Sequence, residues 1–157
     1  MLIQFQDYLT FENIFLWINF AVLPFWIMLV AIPNSKITQL LVNSIFLPLV
    51  FASTYVFIIY QAILLDENLL DVFKLYLTLD NLYTVFATES FLLVFWIHFI
   101  AINLFLGSWM SRDGIKYSIP KILMSFSLIL VYFSGPLGIV FYWFIRIFYG
   151  KRIGLHD

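Results

Sequence analysis

Residues 89–113, ESFLLVFWIHFIAINLFLGSWMSRD, form one apolar segment of membrane length with a histidine and an asparagine inside it. Glu89 stands at its entrance and Arg112-Asp113 at its exit, so the apolar stretch is bounded by charge at both ends. A helix needs about 20 residues to cross the hydrocarbon core of a bilayer. Polar groups at that depth are costly unless used or paired, which makes His98 and Asn103 functional-site candidates.

The rest of the chain reads the same way. Of 157 residues, 64% are hydrophobic and 11% charged, against roughly 45–50% and about 25% in soluble domains. A soluble fold of this size has no interior large enough for that much apolar surface, so lipid must be the solvent for most of it. The net charge of −1 argues against nucleic acid as a partner. The absence of cysteine excludes thiolate nucleophiles and disulfides. With His98 and His156 as the two histidines, a histidine-rich diiron site cannot be assembled. No nucleotide-binding glycine pattern is present; neither a cofactor nor a metal is expected.

Charges punctuate the chain into four apolar runs, and the reading is an all-α membrane protein: one transmembrane domain over residues 1–157, a four-helix bundle with spans near 13–33, 38–65, 88–111 and 120–148. Pro24 and Pro48 interrupt the first two spans, and Pro48 is expected to bend the second. The fourth carries Ser134-Gly135-Pro136 near its middle. An uncharged run this long most simply spans with a kink there. Its alternative is a re-entrant hairpin around Gly135-Pro136. Between spans two and three, Leu69, Leu70, Phe73, Tyr76 and Leu77 fall at helical spacing, which predicts an interfacial helix along the membrane surface. Asp80 is then placed to cap the third span.

Four spans leave the orientation undetermined. Lys74, Arg146, Lys151 and Arg152 fall on one side, and Lys36, Arg112, Lys116 and Lys121 on the other, so the positive-inside rule is silent. Under the hairpin alternative the two basic clusters share a side. The first residues, MLIQFQDYLTFEN, are acidic and lack a basic signal-peptide start. The expected location is a multi-pass position in a bacterial inner membrane, with a plastid membrane as the alternative.

At 100° per residue, Glu89, Trp96, Asn103 and Met110 share one stripe of the third span, and Gly107 joins it. His98 points elsewhere. Two polar faces predict a helix packed on both sides, with Glu89, His98 and Asn103 turned toward protein. The depth of Glu89 depends on where the helix begins. A start at Ser90 makes it an interfacial carboxylate favoured by the helix dipole; a start after Asp80 places it about 14 Å inside. Arg146 near the last turn is read as snorkelling to the headgroups. Asn103 and His98 also have plain structural readings, as interhelical or backbone hydrogen-bonding groups. The many phenylalanines are read first as lipid-facing packing, with the walls of a ligand site as the alternative.

The run FWIHFIAINLFLGSWMSRDGI resembles the signature of the neoxanthin synthase (abscisic-acid-deficient) membrane family and its bacterial relatives. Trp96, Ile97, His98, Ala101, Leu104, Phe105, Asp113 and Gly114 match its pattern. VLPFWIMLVAIP in the first span, ATES at Glu89 and FSGPLGI around Pro136 resemble further family elements in the same order. The chain departs at Asn103, where the family has an aspartate.

In plants the family is required for converting the epoxide violaxanthin into neoxanthin, an isomerisation without net redox change. The resemblance therefore implies a carotenoid or other isoprenoid ligand and proton-transfer chemistry. Glu89 and His98 are the expected acid–base pair, with Asn103 orienting a substrate oxygen. Asn19, Trp96, Gly107 and Pro136 are the expected ligand-binding residues. Asparagine cannot exchange a proton, so Asn103 also keeps a non-catalytic reading open: a membrane subunit that binds pigment, quinone or lipid within a larger complex.

Overall fold

The computed structural model describes residues 9–44, 46–64, 73–74 and 76–151, and every extended element among them is helical. In chain order these are α1 (Phe11–Ala31), α2 (Lys36–Leu41), α3 (Phe46–Leu64), α4 (Leu79–Phe86), α5 (Glu89–Lys116), α6 (Lys121–Ser134) and α7 (Pro136–Gly150). Among the described residues, three stretches are long and apolar enough to cross a membrane: Phe11–Ala31, Lys36–Leu64 and Glu89–Lys116. Large apolar side chains such as Phe20, Ile27 and Phe105 point outward along them, as expected where lipid rather than water is the surrounding medium.

The second stretch is divided, and not by Pro48. Ser35 caps α2 by accepting the Thr38 N–H at 3.0 Å, and the Thr38 hydroxyl donates back to the Ile32 carbonyl at 2.8 Å. α2 ends after six residues. The Phe46 N–H is taken by the Ser44 hydroxyl where α3 begins. Pro48 therefore falls in the first turn of α3, where its missing N–H has no intrahelical acceptor to lose.

Asp80 does not cap the third span. Thr78 caps α4, accepting the Asn81 N–H at 3.1 Å, and α4 stops at Phe86 before α5 starts anew at Glu89. Glu89 is thus a first-turn carboxylate, not a deep one. Of the expected interfacial helix over 69–77, residues 69–72 and 75 lie outside the described residues.

The chain forms two compact units: Met1–Ala21 with Pro48–Phe99, and Val22–Leu47 with Ile100–Asp157. In the first, Ile14, Ile58, Leu93 and Ile97 from α1, α3 and α5 make the core, flanked by Phe11, Ile18, Phe51, Phe57 and Val94. In the second, Trp26, Leu104, Met110, Leu128, Val131 and Tyr142 are buried. There the indole of Trp26 covers Gly107, whose missing side chain admits it: an added Cβ would stand 2.8 Å from the ring.

The fourth apolar run is a helical hairpin. α6 and α7 have 14 and 15 residues, about 21 and 22 Å of helix, each short of a full crossing. Gly135 joins them with φ 50° and ψ −83°, a conformation that L side chains resist. The rings of Phe126 and Phe141 lie 5.0 Å apart, whereas 15 residues of straight helix would separate them by about 22 Å. Gly138 makes the close return feasible, since a Cβ there would meet the Val131 backbone nitrogen at 2.3 Å. The kinked single span expected from the sequence gives way to this turn.

Alanine at Gly135 adds backbone strain of about 1–3 kcal/mol. Its Cβ would also sit 2.6 Å from the Asn103 side-chain oxygen. Gly135→Ala and Gly138→Ala should each lower the thermal unfolding temperature in detergent, while Leu137→Ala on the outward face should leave it nearly unchanged.

Candidate functional site

Glu89 lies in the first unit. It lines an open groove of about 380 Å³ with Phe11, Glu12, Phe15, Leu92, Leu93 and Trp96. Its position at the start of α5 puts its charge beside the positive end of the helix dipole. Trp96, two turns further, donates its indole N–H to the Asn19 side-chain oxygen at 3.2 Å. The Asn19 amide in turn donates to the Phe15 carbonyl at 2.6 Å. Phe15 and Phe99 flank Trp96 at centroid distances of 5.8 and 5.4 Å. Asn19 and Trp96, both expected at the ligand site, are thus bonded to one another, and Glu89 shares the groove wall with Trp96.

His98 does not join them. It is exposed, as is Glu89, so the expectation that both face protein is corrected. The reason is rotational: the core on this part of α5 is built by Leu93 and Ile97, and His98 stands 100° past Ile97. Nine residues separate Glu89 from His98. That places them on opposite faces of α5 and about 14 Å apart along its axis.

Asn103 is buried, with 4% of its surface exposed. Its side-chain amide faces Gly135 at the tip of the hairpin, and its Nδ2 has no hydrogen-bond partner. An unpaired donor inside an apolar interior costs about 1–3 kcal/mol. Two residues conspicuous in the sequence for other reasons are its neighbours in the chain fold. Pro136 opens α7 directly after Gly135 and is exposed. Gly107 is buried one turn along α5, under Trp26. In the same unit, Ser108 donates to the Asn43 side chain and ties α5 to the break between α2 and α3.

A buried polar assembly around Asp113 was not foreseen from the sequence. Arg146 does not snorkel: it is 1% exposed, and its Nε donates to Asp113 at 2.6 Å. Tyr142, one turn earlier on α7, donates its hydroxyl to the same carboxylate oxygen at 2.6 Å. The guanidinium lies over the rings of Tyr117 and Trp143 at 4.9 and 5.0 Å, a cation–π arrangement strengthened by desolvation. Asp113 was visible as part of the Asp-Gly element and Arg146 as a charge closing an apolar run. Their pairing needs the hairpin to bring position 146 back beside position 113. Among the described residues no three His, Asp or Glu side chains gather as a metal-binding group would.

Residues 13–142 match the model of the ABA4-like family, described as ABA DEFICIENT 4-like. No curated protein and no solved structure matches the chain.

Removing one partner of a buried ion pair costs about 3–5 kcal/mol, whereas replacing both by apolar groups is often neutral. Asp113→Leu should therefore sharply lower stability in detergent, and the double variant Asp113→Leu/Arg146→Met should recover most of the loss. A freely snorkelling arginine would make Asp113→Leu nearly silent.

Proposed function

This chain belongs to the ABA4-like family, and on that premise we propose that it engages a carotenoid or related oxygenated isoprenoid within the bilayer. It is a membrane protein related to neoxanthin synthase; a bacterial inner membrane is the location we infer. The reaction proposed for it is a non-redox isomerisation of the epoxy-carotenoid type, with Glu89, His98 and Asn103 as the polar groups presented to the ligand. Asn19, Trp96, Gly107 and Pro136 are proposed to shape its binding.

The observation that supports this reading is the unpartnered amide of Asn103. A buried donor beside a turn that leaves no room for a side chain at Gly135 calls for an acceptor, and a hydroxyl, keto or epoxide oxygen on an apolar molecule is a fitting one. An amide can hold such an oxygen but cannot protonate it. Proton transfer would then fall to Glu89 or His98.

The placement of those two groups favours a second reading. Acid and base must both come within hydrogen-bond reach of one reacting centre, yet Glu89 and His98 face opposite ways on α5 and are about 14 Å apart. A non-catalytic subunit that binds pigment, quinone or lipid needs no such convergence. An exposed His98 suits contact with a ligand or a partner chain on the outside of the helix.

Expression in a carotenoid-producing host separates these readings by pigment co-purification and chromatography of the carotenoids. Asn103→Leu should retain bound pigment about 3- to 10-fold less well, the value of one hydrogen bond, while the protein still accumulates. For an isomerase, His98→Gln or Glu89→Gln should shift the carotenoid profile, and Asn103→Asp should raise turnover. Wild-type profiles from both glutamine variants, with pigment still bound, would leave binding alone. No pigment with the wild-type protein, and no change of profile on its expression, would remove both.

A further inference from the structure

The net charge of −1 conceals a strong asymmetry that emerges once the fourth apolar run is followed as a hairpin. Phe11–Ala31, Lys36–Leu64 and Glu89–Lys116 are each long and apolar enough for the chain to cross, return and cross again in that order. α6 then leaves the end of α5 and α7 comes back to it. Gly114, near the end of α5, lies against Met124 at the start of α6; Asn103 lies against the hairpin tip; Gly150, at the end of α7, lies against Tyr117. The Asp113–Arg146 pair fastens the returning helix to the same end of α5. The outward residues of both arms are apolar, including Ile122, Phe126, Phe133, Leu137, Phe144 and Phe148. A helical pair with such faces fits the hydrocarbon region, with its tip at depth.

By chain order alone, seven of the eight basic residues then share one side: Lys36, Arg112, Lys116, Lys121, Arg146, Lys151 and Arg152. Lys74 is alone on the other. Acidic residues segregate oppositely. Asp7, Glu12, Asp66, Glu67, Asp71, Asp80 and Glu89 accompany Lys74, and only Asp113 and Asp157 accompany the basic set. Asp113 is already engaged by Arg146.

We propose that α6–α7 is a re-entrant hairpin, that the chain sits with its N-terminal side outward, and that Arg112, Lys116, Lys121 and Lys151 meet the anionic lipid headgroups of the cytoplasmic leaflet. The positive-inside rule fixes the direction, because basic residues close to the ends of spans stay cytoplasmic. The negative surface potential of an anionic leaflet attracts juxtamembrane lysine and arginine. Arg112, Lys116, Lys121 and Lys151 are exposed at the ends of α5, α6 and α7, within reach of that layer.

The chain has no cysteine, so single cysteines can be introduced without removing native ones. In intact bacterial cells, a membrane-impermeant maleimide should label Thr88→Cys and should reach Asn34→Cys, Ser118→Cys and Tyr149→Cys only after the membrane is opened. Lys151→Cys provides a second reporter should Tyr149→Cys fail to accumulate. Labelling of the position-149 or position-151 cysteine from outside together with Thr88→Cys overturns the hairpin. Labelling of Asn34→Cys and Ser118→Cys from outside, with Thr88→Cys protected, overturns the orientation. In nanodiscs, the unfolding temperature should be higher in mixed phosphatidylcholine and phosphatidylglycerol than in phosphatidylcholine alone. That difference should vanish in the variant Arg112→Gln/Lys116→Gln/Lys121→Gln; equal wild-type stability in the two lipids overturns the headgroup contact.

Discussion

Gly135 holds a φ of 50° and a ψ of −83° between two helices that would otherwise be one. Only a residue without a Cβ takes this conformation at low cost. Three consequences depend on it. α6 and α7 lie side by side, as the 5.0 Å contact of Phe126 with Phe141 requires. The Asn103 side chain meets a turn with no side chain of its own. Arg146 reaches Asp113, 33 residues earlier. The proline that follows is compatible with each, because the first position of a helix has no use for its N–H.

The buried ion pair is the counterpart of that turn at the open end of the hairpin. Asp113 is approached by two donors of α7, from Tyr142 and Arg146, which stand one turn apart and therefore on one face. Burying a guanidinium is costly, and Coulomb attraction alone repays it only with good geometry and further contacts. Here the carboxylate, the Tyr117 hydroxyl and two aromatic rings supply them. A glycine at one end and a salt bridge at the other hold the hairpin against α5 by unlike means. One is the absence of an atom and the other a charge.

The polar groups of α5 show how one helix serves different surroundings. Ile97 belongs to the core and His98, a single residue on, is exposed. Asn103 is enclosed, whereas Glu89 opens on a groove that Glu12 also lines. Glu89 and His98, nine residues apart, stand on opposite faces of α5 and do not meet as an acid and a base around a single ring would.

Composition and charge spacing determined the class of this protein. Backbone groups in lipid must be satisfied internally, which leaves helices or a closed barrel, and uninterrupted apolar runs near 20 residues select helices. Local sequence also determined family membership, the burial-prone Asn103 and the special character of Gly135-Pro136. It did not determine which way those two residues turn the chain. A kink and a hairpin use the same residues, and the difference lies in whether Gly138 finds the Val131 backbone to pack against. Nor could periodicity alone say that His98 falls outside the core, because a helix that is apolar all round has no distinct buried face until its neighbours are placed. The pairing of Asp113 with Arg146 was likewise invisible. Each charge closes its own apolar run, and only the tertiary path of the chain carries one to the other, where mutual attraction and shared desolvation make a single buried unit of them.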